Sequence, residues 1–111
     1  MSNKITELRN NLRKLGQEIP SIMSAFGNLN KESIREGVLS NKTKELIALG
    51  IGMAVRCEHC IRFHAAEAVK VGATRSEILE TAAVAILMGG GPVVTNTASV
   101  LLEALDELNV K

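Results

Sequence analysis

Both cysteines and both histidines of this chain fall in one eight-residue window, Cys57-Glu58-His59-Cys60-Ile61-Arg62-Phe63-His64. On a helix turning ~100° per residue, Cys57 and Cys60 lie ~60° apart, and His64 projects between them. Cys60 and His64 are an i, i+4 pair and therefore surface neighbours. His59 points more than ~90° away from that face by the same arithmetic. Two thiols and one imidazole thus share one side of the helix. A Cys-x-x-Cys pair in a helical first turn suits dithiol–disulfide exchange. The orphan N–H groups and positive end of the helix favour the thiolate, and the thiolate is the attacking species. A nearby imidazole can hold or pass the proton. A thiolate that attacks a peroxide oxygen becomes a sulfenic acid, and a second thiol three residues away can condense with it. The window therefore points to two-electron redox chemistry.

Other readings of the same residues are weaker. Structural zinc requires four ligands, and His59 projects away from the other three. Attachment of c-type haem requires a histidine directly after the second cysteine, where this chain has Ile61. A free cysteine is often a small buried hydrophobe, but the joint spacing of all four residues speaks against an inert core. Arg56 and Arg62 flank the thiols and could steer a carboxylate-bearing hydroperoxide or dihydrolipoyl group. An exposed helical arginine more often serves solvation.

The elements that must position this window all read as helix. Ile5, Leu8, Leu12 and Leu15 form one amphipathic stripe, ended by Gly16 and Pro20. Pro20 opens a short helix through Ile22, Met23 and Phe26, stopped at Gly27-Asn28. Another short element runs from Lys31 to Glu36 and breaks at Gly37. Ser40 or Asn41 caps the next helix, which carries Leu46, Ile47, Leu49, Met53 and Val55. Gly50 and Gly52 lie inside it, each a weakening of about 1 kcal/mol relative to Ala. A run from about Cys57 to Val71 closes on Gly72. Thr74 and Glu77 then form a capping box. The helix behind them is apolar nearly all round from Ile78 to Met88, so it is expected to be buried on most sides. Gly89-Gly90-Gly91-Pro92 precedes a last helix over about Val93 to Leu108. There is no internal repeat and no alternating strand pattern.

The expected fold is an all-α, single-domain bundle of about five to six helices over residues 1–111. With 111 residues, one domain is the natural reading, and its core is thin. So apolar a helix is hard to cover within one small chain, so partner copies are expected to cover it; a compact monomeric bundle is the alternative. Lys and Arg number 13 against 12 Asp and Glu, giving a net charge of +1. That balance offers no electrostatic reason for a nucleic-acid or membrane partner. With two Phe, no Tyr and no Trp, base stacking is nearly excluded. No apolar run reaches the length of a membrane span. Met1 to Arg13 is polar, without the apolar core of a secretory signal. A cytoplasmic, reducing setting follows as the expectation, in which two cysteines are redox-active or metal-binding rather than a structural staple.

The pattern Glu45, eleven residues, then Cys57-x-His59-Cys60-x-x-x-His64 resembles the alkylhydroperoxidase D branch of the carboxymuconolactone decarboxylase family. The setting is similar too: Lys42-Thr43-Lys44-Glu45-Leu46 before the motif, a Gly72-Ala73-Thr74 stop after it, and a glycine-rich turn at Gly89 to Gly91. The specific motif covers residues 45–64, and a looser likeness covers about 38–105. The resemblance implies a thiol peroxidase of all-helical subunits assembled as trimers or hexamers, with no metal or organic cofactor. It implies that Cys60 is the peroxidatic cysteine and Cys57 the resolving thiol, and that the two form a disulfide. Glu45, His59 and His64 would form the proton relay. The substrate would be an organic hydroperoxide or hydrogen peroxide, and a lipoyl-type or thioredoxin-like dithiol would re-reduce the pair. The chain departs from the full-length enzyme of that name, which carries a second, degenerate copy of the fold. The decarboxylase branch lacks the cysteine pair, so the cysteines argue against lactone decarboxylation. On one straight helix Glu45 would sit ~18 Å from Cys57. The relay therefore requires either a break, expected near Val55–Arg56, or a neighbouring chain's site.

Overall fold

The computed structural model describes residues 3–111 and is all-helical among them. The segments are α1 (Lys4–Glu18), α2 (Pro20–Ile34), α3 (Asn41–Ala54), α4 (Glu58–Lys70), α5 (Arg75–Gly89), α6 (Gly91–Asn96) and α7 (Leu102–Glu107). A π-helical turn, Thr97–Leu101, joins α6 to α7, so the last stretch is one continuous rod. Counting that rod as one, six helices result among the described residues, within the expected five to six.

Local chemistry sets the boundaries. Asn3 caps α1 through its side-chain oxygen, which accepts from the Thr6 amide at 3.0 Å. Ser40, rather than Asn41, caps α3, accepting from the Thr43 amide at 3.0 Å. The Thr74–Glu77 capping box forms in both directions. Gly72 adopts φ +96° after α4, and the Ala73 amide reaches back to the Ala68 carbonyl at 2.9 Å. Those bonds satisfy carbonyls that the helix end would leave open.

Two boundaries differ from the sequence reading. α1 runs through Gly16 to Glu18. Pro20 to Ile34 is one helix, passing straight through Gly27-Asn28 rather than dividing there, so the separate element expected from Lys31 to Glu36 is the last turn of this helix and ends at Ile34. A helical glycine costs only about 1 kcal/mol, which a neighbouring helix readily offsets. Here α1 packs antiparallel against α2.

The core lies between α3, α4, α5 and the final rod. Leu49, Met53, Ile61, Ile78, Val93, Leu101 and Leu105 are fully buried. Around them sit Ala65, Ala66, Ala68, Ala82, Ala85 and Ala104, small residues that let the helices approach closely. α5 is less covered than expected: Ile78, Ala82 and Ala85 face inward, but Val84, Leu87 and Met88 are 62%, 80% and 76% exposed. α2 has no buried residue, and Ile22, Phe26 and Leu29 lie open. No helix among the described residues is long and apolar enough to cross a membrane.

Gly27 is mid-helix, has no left-handed φ and has nothing within 4 Å of where a Cβ would sit. Gly27→Ala is therefore expected to raise stability by about 0.5–1 kcal/mol. Urea unfolding of the reduced protein, compared with wild type, checks this.

Candidate active site

The break between α3 and α4 occupies three residues. Val55 ends α3, Arg56 takes φ +60°, and Cys57 is already the N-cap of α4. The Cys57 amide bonds back to the Gly52 carbonyl at 2.9 Å, and the Arg56 amide to the Met53 carbonyl at 3.1 Å. This pair of bonds closes the end of α3 in a Schellman motif, with an arginine where glycine is usual. The chain reverses and α4 packs antiparallel along α3. The break thus falls where the relay argument requires it.

The reversal has two consequences. First, Cys57 stands at the positive end of α4. Its sulfur accepts from the Cys60 amide at 3.2 Å, and the two cysteines are joined as a disulfide with Cα atoms 5.2 Å apart. That spacing is ordinary for a disulfide. Second, Glu45, three turns before the break on α3, meets His64 on α4. Their Oε1 and Nδ1 atoms are 2.8 Å apart within the same chain. Glu45 is only 3% exposed. A buried carboxylate needs a donor, and the imidazole Nδ1–H supplies it. With the proton on Nδ1, Nε2 is the ring nitrogen left facing away from Glu45.

Cys60 and His64 line one cavity of about 330 Å³, with Leu8 and Leu12 of α1, Met23 and Phe26 of α2, and Phe63. Its lining is mainly apolar. The Phe63 ring stands edge-on to the His64 ring, centroids 5.1 Å apart. On its other side Glu45 borders a polar cavity of about 300 Å³ with Lys31, Arg35, Glu67 and Lys70.

Of the five residues that the sequence singles out, four are gathered: Glu45 bonds His64, His64 shares the cavity with Cys60, and Cys60 is bonded to Cys57. His59 is exposed at the edge of the same cavity, with no hydrogen bond among the described residues. Arg62 corrects the sequence reading. It is 3% exposed, and its guanidinium lies 3.3 Å from Glu58 and 3.0 Å from Glu103. Held in that ion pair, it ties α4 to α7 and is not an exposed steering group. Lys4 and Arg62 together hold the Glu103 carboxyl below the usual range, Lys4 most strongly. Among the described residues, no three His, Cys, Asp or Glu side chains converge in a metal-ligating arrangement.

Sequence reasoning missed one contributor. A Cβ at Gly52 would stand 3.1 Å from the Cys60 Cβ and 3.6 Å from its carbonyl carbon. Gly52 thus lets the cysteine turn of α4 rest directly on α3. The signal was a glycine inside a helix, read only as a weakening.

A sequence profile of the carboxymuconolactone decarboxylase family matches residues 20–103. The chain belongs to this family. Its expected alkylhydroperoxidase D-like branch fits within it. Similar solved structures include the apo form of a carboxymuconolactone decarboxylase family protein from Legionella pneumophila. It is 38% identical, with TM-score 0.81 over 97% of this chain and 96% of that one. A family member from Thermotoga maritima, whose name carries a suspected part in the antioxidative response, is 33% identical. Its TM-score is 0.83, over 96% and 91% of the two chains. An uncharacterised relative from Cupriavidus necator is 37% identical over 92 residues, 83% of this chain and 81% of its own. Another, from the cox locus of Paracoccus denitrificans, is 36% identical over 89 residues, 80% and 79% of the respective chains.

Gly52→Ala must push α4 away from α3, whereas a Cβ at Gly50 meets only the Thr81 methyl at 3.3 Å. Gly52→Ala is expected to be less stable than Gly50→Ala by roughly 1–3 kcal/mol. Parallel denaturant unfolding of the two reduced variants checks the difference.

Proposed function

We propose that this protein is a thiol-dependent peroxidase, with residues 1–111 acting as one domain. The observation that carries this reading is the Cys57–Cys60 disulfide at the start of α4, one turn before an imidazole held by a buried carboxylate. The disulfide corresponds to the oxidised state of the cycle. In the reduced state His64, through Nε2, takes the Cys60 proton while Glu45 holds Nδ1. The Cys60 thiolate attacks the terminal peroxide oxygen. The O–O bond breaks, Cys60 becomes a sulfenic acid, and the leaving alkoxide receives the proton from His64 and departs as alcohol. The Cys57 thiol then condenses with the sulfenic acid, forming the disulfide and releasing water. An external dithiol, lipoyl-type or thioredoxin-like, returns both thiols through a mixed disulfide and is itself oxidised. His59, exposed at the cavity edge, exchanges protons with solvent.

This chemistry needs a reducing supply, which supports a cytoplasmic setting. Homo-oligomer formation, as trimer or hexamer, is supported by the exposed apolar face of Ile47, Ile51, Val84 and Met88, which line one shallow groove between α3 and α5. Such a surface is costly for a monomer. Met88→Glu is expected to shift the sedimentation coefficient to that of a smaller species; an unchanged coefficient would remove this face from the assembly.

The direct test is consumption of cumene hydroperoxide or hydrogen peroxide with excess dithiol. Wild type should show saturable turnover, Cys60→Ser none, and Cys57→Ser about one equivalent. Glu45→Gln should lower turnover by about 10²-fold, the usual scale of a lost acid–base contribution. If wild type matches the uncatalysed background while its disulfide still exchanges with dithiols, the protein is a dithiol–disulfide exchange protein or redox sensor instead.

A further inference from the structure

α2 lines the thiol cavity with residues that include an internal glycine the fold does not require. Gly27 lies in the middle of Pro20–Ile34, without a left-handed φ. A Cβ there would meet no atom within 4 Å, so no neighbouring helix demands the small residue. Yet Gly27 weakens the helix, and it lines the same cavity as Cys60 and His64. Gly16 also has open space above it, but it lies in the last turn of α1 and does not line this cavity. The cavity residues of α1 and α2 beside Gly27 are Leu8, Leu12, Met23, Phe26 and Asn30, all apolar but Asn30. The cavity, about 330 Å³, falls in the size range of small-ligand sites.

We propose that Gly27 is a specificity-determining residue, its missing side chain leaving the space in which the organic group of an alkyl hydroperoxide lies while the peroxide reaches Cys60. This rests on the peroxidase reading. Met23, Phe26, Leu8 and Leu12 supply the apolar walls, and α2 accepts a less stable helix to keep the volume free. Hydrogen peroxide has no organic group and does not use the space.

The test uses the full chain, reduced beforehand and freed of dithiol, so that only the peroxide half-reaction is read. Cys60 oxidation by cumene hydroperoxide and by hydrogen peroxide is followed by stopped flow in wild type and Gly27→Leu. Gly27→Leu is expected to slow cumene hydroperoxide by about tenfold or more, the scale on which a filled pocket rejects a group. Hydrogen peroxide should change little. Reduced Cys60 is also alkylated with iodoacetamide and with N-cyclohexylmaleimide. Gly27→Leu should slow the bulky probe selectively. That selectivity supports the cavity assignment even if wild type reduces no peroxide, a result that would remove the peroxidase reading alone. Equal slowing of both peroxides, or an unchanged ratio between the two alkylating probes, overturns the proposal. So does a changed oligomeric state in Gly27→Leu, because the glycine face would then be a contact between copies.

Discussion

A carboxylate buried as deeply as Glu45 requires a hydrogen-bond donor, and here the donor is His64. Leaving such a buried group without its hydrogen-bond partner costs about 1–3 kcal/mol or more. The requirement fixes how α3 and α4 run against each other. A straight continuation would carry Glu45 far from the thiols. The turn at Val55, Arg56 and Cys57 brings it back, and the left-handed Arg56 is the local cost of that reversal. The same turn delivers Cys57 as the first cap of α4. One backbone motif therefore sets both ends of the proposed chemistry: the disulfide at the helix start and the carboxylate–imidazole pair farther along.

Around that hairpin the small residues decide distances. Gly52 brings the Cys60 turn onto α3, and Gly50 brings α5 close through Thr81. Alanines fill the rest of the interface. A chain of this length has little apolar volume to spend on a core, so close backbone approach replaces large side chains. The consequence is visible on the outside. Larger apolar residues, Leu87 and Met88 on α5 and Ile22 and Phe26 on α2, are left on the surface. Met88 lies open beside the likewise exposed Ile47 and Ile51 of α3. Phe26 lies beside the thiol cavity.

The two sides of the His64–Glu45 pair differ in character. Towards Cys60 lies an apolar cavity, roofed by α1 and α2. Beyond Glu45 lies a polar one with Lys31, Arg35 and Lys70. The pair stands at the boundary, with an apolar cavity on one side and polar groups on the other. Arg62, which the sequence places beside the thiols, does not enter this arrangement. Its ion pair with Glu103 anchors α4 to the C-terminal helix and keeps the first turns of α4 in place.

The sequence alone determined whatever depends on neighbours within a turn or two. The all-helical class, the Thr74–Glu77 box and the stop at Gly72 follow from propensity, capping and spacing, which act over a few residues; the break before Cys57 is expected from the relay that the family resemblance implies. The Cys57-x-x-Cys60 spacing likewise placed both thiols on one helical face. Tertiary structure decided what propensity leaves nearly balanced or cannot see. α2 passes through Gly27 because a cost near 1 kcal/mol is smaller than what packing against α1 supplies. Arg62 is buried because α7, forty residues away, presents Glu103. Gly52 became a contact rather than a weak point once α4 folded back onto it. Glu45 was linked to the thiols in sequence only by resemblance; the hydrogen bond to His64 exists because a reversed chain brought together two residues nineteen positions apart. Burial and long-range pairing are properties of the packed whole, and no local pattern encodes them.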